Sequence, residues 1–153
     1  MSEDPQKLIA TIEEQERRLV FGTFTEADAF ALGCLLVDLA TSRALPVAVD
    51  IRRGTQQLFH AAVAGNDAWI ERKVRVVYRF GASSYLVGRR LAAKGRHLDA
   101  SQGLDPARYA AHGGAFPVRI PGAGVIGVVT VSGLPQADDH ALVVEAIETF
   151  LAT

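Results

Sequence analysis

The run from Gly113 to Leu151, GGAFPVRIPGAGVIGVVTVSGLPQADDHALVVEAIETFL, constrains this chain most. Phe116, Val118 and Ile120 alternate with Pro117 and Arg119. A proline cannot donate to a central ladder, so this strand belongs at a sheet edge or begins there. Val125 to Val131 is apolar at both parities, as in a strand covered on both faces. A Pro-Gly turn joins the two. After the polar Ser-Gly-Leu-Pro loop, Asp138 and Asp139 suit the positive end of a helix. Val143, Ala146, Ile147, Phe150 and Leu151 give that helix one apolar side. Everything upstream must pair with these strands or cover their faces.

Ser2, Glu3 and Asp4 before Pro5 mark a helix entry. Leu8, Ile9, Ile12, Leu19 and Val20 form its loose apolar stripe, and Gly22 interrupts it. Thr25, with Asp28 three positions on, starts a second helix in a weaker form of the capping box. From Ala27 to Ala40 that helix is apolar on nearly every side, through Phe30, Leu32, Cys34, Leu35, Leu36, Val37 and Leu39. Such a helix is covered on more than one side, by the first helix, the sheet or a second subunit. A homo-oligomer is therefore expected.

Pro46 to Arg52 alternates, with Val47, Val49 and Ile51 on one face and Ala48, Asp50 and Arg52 on the other. Arg53-Gly54 predicts a tight turn and Leu58 to Val63 the return strand. His60 shares a face with Leu58 and Ala62 and reads as a packed or edge residue. Gly65-Asn66 ends the hairpin, and Asn66 can cap a helix begun after it. Between Asp67 and Phe80 the alternation of Val74, Val76, Tyr78 and Phe80 suits a strand. At 100° per residue, however, Trp69, Ile70, Val74, Val76, Val77 and Phe80 make one broad helical face. Length and the Asn66 cap decide for helix. A short helix over Ser84 to Lys94, a loop over 96–103 and a helical turn over Pro106 to Ala111 complete the middle. Residues 67–96 hold eight of the sixteen basic side chains, with only Asp67 and Glu71 opposing them. That excess could meet phosphate or carboxylate; it reads first as a solvated helix face or a surface for an acidic partner.

The formal net charge of −1 excludes a general nucleic-acid or anionic-membrane binder. No apolar run reaches the ~18 residues of a membrane helix. The acidic, polar start is no secretory signal, so a cytoplasmic protein is expected. The single cysteine, Cys34, reads as a small buried hydrophobe. At 153 residues one domain over 1–153 is the simplest organisation. Gly122-Ala123-Gly124-Val125-Ile126-Gly127 matches the dinucleotide fingerprint G-x-G-x-x-G. Its glycines run into a strand, whereas pyrophosphate binding needs a helix to open there, so a hairpin turn is predicted. The four histidines are far apart in sequence, and no metal-ligand spacing is present. No catalytic set emerges, and whether the chain is an enzyme stays open.

Several short motifs together resemble the haem-degrading-domain, or GlcG-like, family and its cytoplasmic uncharacterised subgroup. They are Gly113-Gly114-Ala115-Phe116-Pro117, Gly124-Val125-Ile126-Gly127 and Ser132-Gly133. With them go Gly65-Asn66, Trp69, Arg72-Lys73, Phe80, Ser83-Ser84, Leu134-Pro135-Gln136 and Asp138-Asp139-His140. The resemblance spans nearly the whole chain. It implies an α/β (α+β) fold, a profilin-like antiparallel sheet flanked by helices on its faces. It implies self-assembly, and haem as the cofactor of some members.

Three functions are expected as alternatives: an oligomeric small-molecule-binding protein, a non-catalytic protein–protein interaction module, or a haem-binding or haem-degrading protein. For the first, Lys73 is the telling residue. On the helical reading it falls inside the apolar arc, between Phe80 and Val77, where an ammonium must snorkel, pair or hold a ligand. The Ser132-Gly133 turn precedes a helix whose amides favour an anion, with His140 in its first turns. Lys73, Ser132, Gly133 and His140 are thus expected to converge on a pocket for a carboxylate or phosphate.

Overall fold

The computed structural model describes residues 4–64 and 68–153. The expected hairpin end at Gly65-Asn66 and the Asn66 cap lie outside these residues. Asp4 caps helix α1 (Pro5–Arg18), accepting from Gln6 N at 2.9 Å, with Pro5 in the first turn where its missing N–H costs nothing. Helix α2 (Glu26–Ser42) begins in a complete capping box, Thr25 N to Asp28 Oδ2 at 2.8 Å and Asp28 N to Thr25 Oγ1 at 3.1 Å. Strands β1 (Ala48–Arg53) and β2 (Gln56–Ala62) come next, then helices α3 (Ile70–Phe80) and α4 (Ser84–Ala93). Gly81, left-handed at φ 68°, ends α3, and Ser83 caps α4 through Leu86 N. Strands β3 (Ala115–Ile120) and β4 (Gly124–Ser132) and helix α5 (Gln136–Leu151) complete the order.

The sheet runs β2-β1-β4-β3, every neighbouring pair antiparallel. Pro117 accordingly lies on an edge strand, and the doubly apolar β4 lies inside. One face, through Val49, Ile51, Val129, Val131 and Phe116, packs against α2 and α5. The other, through Ala48, Ala115 and Val128, meets Ile70, Val74 and Val77 of α3. Helix α1 lies outside α4, where Ile9 and Ile12 join Val76, Leu86 and Val87 in a second apolar cluster. This is an α+β sheet flanked by helices on both faces. Of the helical face predicted for 67–80, Ile70, Val74 and Val77 cover the sheet, Val76 turns to the second cluster, and Trp69 and Phe80 stay exposed.

The glycine run at 122–124 is a turn between β3 and β4, with Gly122 and Gly124 at φ 87° and 76°, and no helix opens on it. The helical turn expected over 106–111 shrinks to a turn at 106–108. Beyond it the backbone is drawn out, because Ala110 N donates to the carbonyl of Arg72 at 3.1 Å.

Helix α2 buries Ala29, Leu32, Gly33, Leu36 and Ala40 against the sheet. Gly33 is required there, since a Cβ would come within 2.4 Å of the Phe59 ring of β2. Leu35, Val37 and Leu39 are only partly covered, and Phe30 is 63% exposed. No helix among the described residues is long and apolar enough to cross a membrane.

Candidate functional site

Helix α3 turns Ile70, Val74 and Val77 onto the sheet, and Lys73 shares that face. Its side chain is only 4% exposed. The aliphatic stem therefore runs between helix and sheet, and the ammonium reaches the C-terminal end of β4. There Nζ lies 3.1 Å from Asp139 Oδ2 and 3.4 Å from the carbonyl of Val131. Two local features make the approach possible. Gly114 has φ 135°, and a Cβ on it would sit 2.9 Å from Lys73 Nζ and 2.2 Å from the Val131 carbonyl. Gly133, at φ 147°, would put a Cβ 2.2 Å from the carbonyl of Pro46. Both glycines stand where backbone or ammonium occupies the side-chain position.

Asp139 is as buried as Lys73, its side chain 2% exposed. Besides Lys73, its carboxylate accepts from Leu134 N at 2.9 Å and Gly133 N at 3.3 Å. The amides expected to hold an external anion are thus turned on a resident one. Burial pushes the Asp139 carboxyl up, opposed by Lys73 and the two backbone N–H groups. Burial pulls the Lys73 ammonium down, opposed by Asp139.

The pair forms the floor of an open cavity of about 450 Å³. Ser132, Gly133, Leu134 and Pro46 line one side, with Gln136, His112 and Trp69 on the other. The His112 ring meets Trp69 edge-on at 5.4 Å between centroids. Its pKa is lowered by burial first and then by Lys73, Arg72 and Arg89, so the imidazole is neutral at pH 7.

Of the four residues read from the sequence, Lys73, Ser132 and Gly133 line this cavity and His140 does not. The helical turn that aims Asp139 at the cavity aims His140 elsewhere, between Tyr85 and Phe116 at ring distances of 4.9 and 5.9 Å. Its Nε2 lies 2.7 Å from Gln15 Oε1, and burial lowers its pKa to about 4. Asp139, Trp69 and His112 were missed. Asp139 had a signal: it lies on the stripe of Val143 and Ala146, at i+4 and i+7, so a carboxylate there faces the core. A lysine and an aspartate each on a buried face call for one another. Among the described residues, no group of three His, Cys, Asp or Glu side chains could hold a metal ion.

A family model described as haem-degrading, HbpS-like protein matches residues 24–148. A UPF0303 protein of Streptomyces coelicolor is 63% identical over 147 residues, covering 94% of this chain and 93% of that one. Among solved structures, that of Ybr137w superposes with a TM-score of 0.86 at 29% identity, covering 97% of this chain and 94% of its own. The fold is also that of PduOC, solved as a haem complex, with a TM-score of 0.67 at 17% identity and coverage of 82% and 94%.

Proposed function

The chain belongs to the HbpS-like haem-degrading family, and on that footing we propose that it is an oligomeric small-molecule-binding protein whose ligand presents a small anionic group to Lys73. One observation carries the reading. An ammonium has three donors; Asp139 and Val131 take two, and the third remains at the floor of a 450 Å³ cavity. Ser132 lines the same cavity and offers a hydroxyl to a carboxylate or phosphate oxygen. Trp69 and neutral His112 offer flat surfaces to the rest of the ligand. A cavity of this volume suits a metabolite-sized molecule.

The residues of this cavity do not fit a haem. His112 is the one imidazole among its described lining residues, and facing it is an ion pair rather than an apolar slot for a macrocycle. His140 is committed to Gln15. A cytoplasmic location accords with the single cysteine and the absence of any other thiol to pair with it.

Self-association draws support from α2, whose Phe30 stands exposed and meets Phe59 edge-on at 6.0 Å. The same apolar face favours a second reading, a protein–protein interaction module without catalytic activity. Native mass spectrometry of the purified protein separates the two: a retained anionic metabolite supports the first, and an empty assembly that captures specific proteins supports the second. Thermal-shift titration with small organic acids then tests the site. Ser132→Ala, which keeps the ion pair, should lose the acid-induced stabilisation; full retention would refute the assignment.

A further inference from the structure

Behind His112 lies another cavity, of about 350 Å³, between α3, α4 and the segment 96–112. Its existence is a consequence of Gly88. A Cβ there would meet the Ala111 carbonyl at 2.1 Å, so only glycine lets the 109–112 strand of backbone close against α4. Arg72, Arg89 and Arg96 line the cavity with His97 and His112, and no carboxylate is among its described lining residues. Elsewhere on this molecule several arginines meet acids, Arg43 with Glu145, Arg52 with Asp50, Arg90 with Glu13 and Arg119 with Glu16, while the surface residues Arg79 and Arg108 meet none that is described. Among the described residues Arg72 and Arg89 have no such partner.

The hold on these two guanidinium groups is incomplete. Arg72 packs over the Trp69 ring at 4.3 Å and donates through Nη2 to the Pro106 carbonyl at 2.7 Å. Arg89 stacks at 5.7 Å over Tyr85. In both, Nε is buried and lacks a hydrogen-bond partner. These Nε atoms are closed off from solvent, so what the cavity meets is the charge of the two guanidinium groups, a positive region with no described acid paired to it. The lowered pKa of His112, to which both arginines contribute, reports the same field.

We infer that this cavity is a second ligand site, built for a phosphate monoester carried on a small, partly apolar body. A planar guanidinium recognises phosphate and carboxylate alike. Two or three fixed positive charges with no resident acid are balanced better by a dianion than by a carboxylate. Leu91, Leu98 and Tyr109 supply the apolar wall for the rest of the molecule. This site is separate from the Lys73 floor, with His112 bordering both.

Calorimetric titration of the full chain with phenyl phosphate, inorganic phosphate and benzoate tests the inference. Saturable binding of phenyl phosphate is expected, at least tenfold tighter than benzoate and weakened at least tenfold in Arg89→Gln. Ser132→Ala should leave it within twofold. Arg89 is only half-buried and outside the core, so its variant should fold. The wild type gives an independent readout, because the His112 pKa, followed by NMR, should rise as the bound dianion offsets the surrounding cations. No binding, equal affinity in Arg89→Gln, or benzoate binding as tightly as phenyl phosphate in Ser132→Ala, where the Lys73 floor no longer takes it, would overturn the site. Binding lost in Ser132→Ala but kept in Arg89→Gln would move it to the other cavity, which equally overturns it.

Discussion

Removing the Asp139 charge is the most informative perturbation of this molecule. In Asp139→Asn one amide oxygen can still accept from Leu134 N, but the new NH2 group competes for the place of Oδ2. That oxygen now accepts from Gly133 N and from Lys73 Nζ. A donor would then face a donor across 3.1 Å, and the ammonium would keep only the long contact to Val131. Breaking one partner of a buried pair costs about 3–5 kcal/mol, because the other charge stays buried and uncompensated. For a domain of this size each kcal/mol corresponds to roughly 2–4 °C, so Tm should fall by roughly 6–20 °C. Lys73→Met in the same chain removes the stranded ammonium. The double variant should therefore recover most of the loss, with a coupling energy of about 2 kcal/mol or more. Urea denaturation of wild type, both single variants and the double variant closes the cycle. If Asp139→Asn costs under ~1 kcal/mol, or the two changes simply add, the pair does not hold the β4–α5 turn.

Stability should also respond to His140. Its folded pKa of about 4 lies below the ordinary 6.5, so between these values the unfolded chain binds the extra proton. Stability from this group is full above pH 6.5 and falls by about 3 kcal/mol towards pH 4. Unfolding measured from pH 4 to 7 should show that slope in wild type and lose it in His140→Gln; equal slopes would refute the assignment. Phe30→Asp should convert the assembly to monomers by light scattering, since each buried phenylalanine contributes about 1.5–3 kcal/mol; a monomeric wild type at micromolar concentration would remove the premise. Purified protein should be colourless and bind haem weakly. A Soret band that survives desalting and disappears in one His→Ala variant would contradict the fit described for the cavity.

Most of the framework was legible because single residues carried it. Thr25 with Asp28 announced α2, Pro117 restricted β3 to a sheet edge or a strand start, and doubly apolar Val125–Val131 placed β4 inside. Lys73 was legible as an anomaly, a charge in an apolar arc, although periodicity alone could not say what met it. The misreadings share one cause, contacts made across the fold. Nothing local tells Ala110 to donate to Arg72, 38 positions upstream, rather than to its own turn. Asp138-Asp139 fitted the helix dipole as a pair, which masked the burial of only one of them. His140, the neighbour of a cavity residue, was carried into the site by proximity along the chain, when 100° of helix separates the two directions.

The strand order also sets a timetable for synthesis. β1 pairs on one side with β2, across a short turn, and on the other with β4, Ala48 opposite Ser132. That second partner leaves the ribosome roughly 80 residues later, a delay of roughly 4–16 s at 5–20 residues per second. Throughout it the inner edge of β1 has unpaired N–H and C=O groups, beside an α2 face still waiting for α5. A nascent chain halted between Ala62 and Gly124 therefore displays an open strand edge and bare apolar helix together, the combination that chaperones bind.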